Sequence, residues 1–153
     1  VTDGRDRDAE GRARNARPRD ASGRPLPRGA RGVERPEEDE PLPPDEAFAR
    51  AQDFLDHDRP FDAHDVLEAA WKAAPADERP LWKGLAQLAV GLTHEQRGNP
   101  RGASSLLRRG AETIGEAPEA AARHGVDLAA LAGWAAAREA SGPSAPGLVL
   151  RAR

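Results

Sequence analysis

The sequence contains no cysteine, which excludes disulfide frameworks, thiolate metal sites and cysteine nucleophiles at once. Lysine is nearly missing as well. Lys72 and Lys83 stand against 21 arginines, a skew that reads as compositional bias rather than as selected phosphate contacts. Long apolar runs are also lacking: the longest, residues 128–137, falls well short of the roughly 20 residues that a membrane span needs. No apolar run of signal-peptide type opens these residues. A cytoplasmic setting, away from the membrane, is the expectation.

Residues 1–44 lack large apolar side chains apart from Val1, Leu26, Val33 and Leu42, against ten Arg, ten Asp or Glu, seven Pro and five Gly. Such a stretch cannot bury enough surface to offset the entropy of ordering it, so a disordered, charged tail is expected. The Arg-rich part runs to Arg35 and is followed by Glu37, Glu38, Asp39 and Glu40. Acids interspersed with the arginines, and no aromatic side chains among them, argue against a nucleic-acid arm.

Helical periodicity begins at Asp45, where Pro43 and Pro44 stop the tail. Ala47, Phe48, Ala51, Phe54 and Leu55 recur at three and four, which predicts an amphipathic helix over 45–57. Arg59 and Pro60 restart the chain, and Phe61, Leu67, Trp71 and Ala74 mark one face of a second helix that ends before Pro75. A loop over 75–80 precedes a third helix, 81–97, apolar most of the way round and therefore central. Gly98 closes it and Asn99 with Pro100 opens a fourth, which stops at Gly115. A short helix near 118–124 and a last one over 128–141, capped by Asp127, complete the set.

No segment from 45 onward alternates apolar and polar residues over strand length. The class is all-α, a small bundle of antiparallel hairpins with five to six helices. The division expected is a tail over 1–44, a helical domain over 45–141 and a C-terminal extension over 142–153, in which Leu148, Val149 and Leu150 either dock or fray. Two hairpins overlay at an offset of 39 residues in a faint tetratricopeptide-like pattern, with Val90, Gly91, His94, Gly98, Ala103 and Leu107 at the characteristic positions.

That pattern puts His64 and Glu68 at seam positions of the second helix. Residues four apart differ by about 40° in azimuth, so the two stand one above the other beside Phe61, Leu67 and Trp71. Gln87 and His94, seven apart on the third helix, are also nearly eclipsed. If the two helices are neighbours, all four polar groups converge. Buried without partners they would each cost about 1–3 kcal/mol, so they must bond to one another, to water or to a ligand. Three readings stay open: a satisfied polar core, a divalent-metal or acid/base site with His64, Glu68 and His94 as ligands or proton carriers, and a pocket for a small polar ligand. Arg97 and Arg101, around the fourth helix start with Asn99, could hold an anion or simply lie on the surface. His57 and His124 look like exposed helix-end residues.

The runs Phe61-Asp62-Ala63-His64-Asp65-Val66-Leu67-Glu68 with Trp71, Lys83-Gly84-Leu85-Ala86-Gln87-Leu88-Ala89-Val90 with His94, and Arg97-Gly98-Asn99 with Gly102-Ala103 resemble the bacterial domain of unknown function 309. The resemblance covers 46–141, and its centre, 61–107, matches in order and spacing. Even the proline and short apolar run of 146–150 resemble that family's ending. The resemblance implies a small cytoplasmic helical bundle and carries no established activity. Two functions follow as expectations: a helical scaffold or interaction domain that meets a protein partner in a groove between hairpins, or a metal-assisted or acid/base hydrolase using His64, Glu68 and His94, with Gln87 and Arg97 placing an anionic substrate.

Overall fold

The computed structural model describes residues 41–151 and, nearer the N-terminus, the backbone of one short ribbon. In it β1 (Asp6–Arg7) pairs antiparallel with β2 (Ala13–Arg14), Asp6 opposite Arg14 and Arg7 opposite Ala13. Strands of two residues are too short to show alternation, so pattern reading could not find them. The rest of residues 1–40, expected to be a disordered tail, lies outside the described residues.

Six α-helices follow: α1 (Pro44–Asp56), α2 (Pro60–Ala73), α3 (Arg79–Gln96), α4 (Pro100–Ile114), α5 (Pro118–Arg123) and α6 (Leu128–Ser141). Proline occupies the first or second position of the first five, where its missing N–H would have had no intrahelical partner anyway. That explains one boundary that differs from expectation: α3 begins at Arg79, because Pro80 sits inside the first turn rather than ahead of the helix. Asn99 and Asp127 cap α4 and α6, their side chains accepting from the backbone N–H of Gly102 (3.1 Å) and Ala130 (3.0 Å).

Three helix ends share one device. Asp58, Gly98 and Gly125 adopt positive φ of 56°, 74° and 72°, and in each case the next N–H reaches back five residues: Arg59 to Phe54 O, Asn99 to His94 O, Val126 to Ala121 O. This left-handed stop satisfies terminal carbonyls and turns the chain sharply. The result is successive antiparallel hairpins, α1 with α2 and α3 with α4, with α3 packed on both α2 and α4.

Leu81, Trp82, Leu85, Leu88 and Ala89 of α3 are buried against Phe48, Leu67, Leu107 and Ile114. Small residues set the α3–α4 distance. A Cβ built on Gly84 would stand 2.7 Å from Gly110 O, and one on Gly110 would stand 2.9 Å from Gly84 O. The backbones touch where neither residue has a side chain.

Beyond α6, Leu148 and Leu150 are buried while Val149 between them is exposed. Gln52 of α1 holds this extended stretch with both ends of its amide, Nε2 donating to Leu148 O and Oε1 accepting from Leu150 N, each at 2.9 Å. Trp134 Nε1 donates to Pro146 O (2.8 Å), and Arg138 reaches Ala145 O (2.9 Å) while pairing with both oxygens of Glu95 on α3. Between α4 and α6, the Ser104 hydroxyl (2.6 Å) and the Arg108 guanidinium both bond Glu139. The hydroxyl first, and then the guanidinium, hold that carboxyl below the ordinary Glu range.

Candidate functional site

On α2 the four-residue spacing does what helical geometry requires. His64 Nε2 faces Glu68 Oε2 at 3.2 Å, and Lys72, one further turn along, brings Nζ to 3.2 Å from Glu68 Oε1. Asp65 lies at the other ring nitrogen, with Oδ1 3.5 Å from His64 Nδ1. That distance suits an ion pair, yet Nδ1 has no hydrogen-bond partner among the described residues. A hydrogen bond requires alignment as well as approach, and here only the approach is met.

Antiparallel packing brings the middle of α3 opposite these groups. His64, Glu68 and Trp71 from α2, Lys83, Ala86, Gln87 and Val90 from α3, and Leu106 from α4 line one open cleft of about 240 Å³. Its walls are mainly hydrocarbon and indole. Gln87 Oε1 is buried at this lining and accepts no hydrogen bond from the described residues. A buried carbonyl of this kind costs about 1–3 kcal/mol when left unbonded.

His94 is not among the cleft residues. Gln87 and His94 do share a stripe, but seven residues advance about 10 Å along a helix, so His94 stands beyond the cleft, at the α3–α4 turn. There its Nδ1 lies 3.1 Å from Asn99 Nδ2. The structure thus gathers His64, Glu68 and Gln87 and leaves the fourth expected member apart. Asn99 serves as the α4 cap. Arg97 stacks its guanidinium 5.7 Å from the Phe61 ring centroid, and Arg101 is exposed in the first turn of α4.

Four polar arrangements were not read from the sequence. Asp62, fully buried, accepts from Arg59 Nε at 2.8 Å. Its position in the first turn of α2 was a usable signal, since an acid there complements the helix dipole. His124 is not the exposed residue expected: its ring packs 5.7 Å from Trp82 and 5.8 Å from Phe48, and Nε2 bonds Glu78. That pairing spans 46 residues, and no local pattern announces it. The Glu95–Arg138 pair spans 43. Lys83 over the Trp71 ring at the cleft was likewise invisible, because the two belong to different helices.

As a metal centre the α2 cluster is poorly shaped. His64, Asp65 and Glu68 each offer a ligand atom, all within 4.8 Å of one another. However, the two carboxylates flank opposite ring nitrogens, which point away from each other, whereas one ion takes one nitrogen per imidazole. Lys72 also already neutralises Glu68.

The family model described as "Domain of unknown function (DUF309)" matches residues 48–106. Over these residues the chain is similar to that family. The DUF309 match runs from Phe48 in α1 to Leu106 in α4 and so contains every cleft-lining residue. An "Uncharacterized protein YpuF" from Bacillus subtilis (strain 168) is 44% identical over 48 residues, 31% of this chain and 28% of that protein. The chain therefore spans little over a quarter of the length of that curated relative. No solved structure matches.

Proposed function

We propose that the DUF309 segment is an interaction domain of the bacterial cytoplasm, and that it receives a partner group in the cleft between α2, α3 and α4. The observation that carries this reading is Gln87 Oε1, a buried acceptor without a donor at the edge of an apolar, open cleft. A buried acceptor without a donor costs free energy, and a turn of the Gln87 side chain toward the cleft lets a partner supply the missing N–H or O–H. The tetratricopeptide-like pairing of hairpins fits a role in which a groove between helices is the working surface. No described helix is long and apolar enough to cross a membrane.

The metal-assisted alternative has less behind it, since His94 lies apart from the cleft and the remaining ligand atoms diverge. A titration of ¹⁵N-labelled full-length protein with N-acetyl-leucinamide tests the binding reading. Shifts should concentrate at the Trp71 indole, the Gln87 side-chain amide, Ala86 and Val90, and should vanish in Val90→Trp, which fills the cleft. Shifts scattered over other faces, or none up to tens of millimolar, would contradict it. Metal analysis of untagged protein bears on the alternative: stoichiometric Zn, Mn or Fe lost in His64→Ala would favour it.

A further inference from the structure

One of the two lysines of this arginine-rich chain stands at the cleft. Lys72 pairs with Glu68 and Lys83 lines the cleft wall, its ammonium 5.8 Å from the Trp71 ring centroid. Elsewhere among the described residues arginine does the pairing with carboxylates, as in Arg59–Asp62, Arg123–Asp77 and Arg138–Glu95. Glu68 is thus already neutralised, whereas Lys83 has no carboxylate or hydrogen-bond partner among the described residues. The uncompensated charge at the cleft is positive, and it calls for an anion.

Lys83 and Gln87 are four apart on α3, so their side chains leave the helix on one face, with about 5–6 Å between the Cβ atoms. An occupant complementary to this surface carries an anion for Lys83, an N–H for the Gln87 carbonyl once that side chain turns toward the cleft, and an apolar group for Trp71, Val90 and Leu106. An Asp or Glu side chain brings a carboxylate on a polar stem and leaves the apolar wall uncovered. Only at the end of a polypeptide do carboxylate, backbone N–H and side chain sit on one carbon. Building on the cleft as a partner site, we infer that it recognises the C-terminal residue of a partner polypeptide, one with an apolar side chain and a free carboxylate. Capture of chain termini by a cation and backbone-directed bonds is a recurrent mode of peptide recognition.

The test uses the full chain and three probes: acetyl-Ala-Ala-Leu with a free carboxylate, the same peptide as its terminal amide, and free leucine, each followed at the Trp71 indole and Gln87 side-chain signals. The acid should bind about tenfold tighter than the amide, as one charge-assisted contact implies. That advantage should disappear in Lys83→Gln and shrink at high salt. Equal affinity of acid and amide would overturn the carboxylate inference and leave the cleft as a partner site. Failure of all three to move the cleft signals would overturn both. Free leucine binding as tightly as the tripeptide would overturn the polypeptide partner.

Discussion

Gly84 and Gly133 are both helical glycines, yet they make opposite demands. A methyl group on Gly84 runs into Ile114 and the carbonyl of Gly110, whereas one on Gly133 meets nothing within 4 Å. Gly84→Ala should therefore destabilise the domain by about 1–3 kcal/mol through overpacking. Gly133→Ala should stabilise it by roughly 0.5–1 kcal/mol, because glycine is a poor helix former in an open position. Urea unfolding midpoints of the two variants check both signs. Glu139 supplies a pH-dependent counterpart. Its folded pKa is depressed by Ser104 first and Arg108 second, so its contribution is present above the ordinary Glu pKa and lost as pH falls through the lower, folded value. In a carboxyl NMR titration, Glu139 should titrate below free glutamate and move back toward it in Ser104→Ala. At this scale the sequence was only partly legible: His64 and Glu68 could be placed by spacing, but His124 could not, because its partners Glu78, Trp82 and Phe48 reach it through tertiary packing alone.

Helix ends were the most legible features of the elements. Proline in the first turn, Asn99 and Asp127 as caps, and glycine after the last turn each act through local backbone chemistry, which a sequence displays directly. Asn99 illustrates how such a role can resemble a binding one: it entered as a candidate ligand contact and serves as the α4 cap. Asn99→Ala should then cost about 1 kcal/mol of stability and leave the affinity of the cleft for its probes unchanged, as calorimetric melting and the peptide titration together would show. The C-terminal stretch is held differently. Because Gln52 bonds Leu148 O and Leu150 N, Gln52→Ala should lower protection of the Leu150 amide against hydrogen exchange by roughly tenfold, about the 1–1.5 kcal/mol of a typical bond, while α3 and α4 amides keep theirs. Whether this stretch would dock was open in the sequence, since three apolar residues carry no record of which surface waits for them.

Across the whole molecule, periodicity and punctuation were enough for an all-α arrangement of antiparallel hairpins, and the central place of α3 followed from its apolar surface. The cleft was half legible. Its α2 face and Gln87 could be anticipated from azimuth, but azimuth says nothing of height along the axis, which separates His94 from the group. Leu106 and Lys83 join it only through the packing of α3 on both neighbours.

The proposed site centres on Gln87, whose buried carbonyl has no donor among the described residues and stands beside hydrocarbon. Replacing it by methionine, of similar shape and without the carbonyl, measures directly what that group is for. An acceptor kept open for a partner burdens the empty domain, so Gln87→Met should raise the urea midpoint, by about 0.5–1 kcal/mol of stability, and weaken cleft binding. A loss of 1 kcal/mol or more in the unliganded protein would instead show that the amide belongs to a satisfied internal network, and that the cleft is not kept open for a partner.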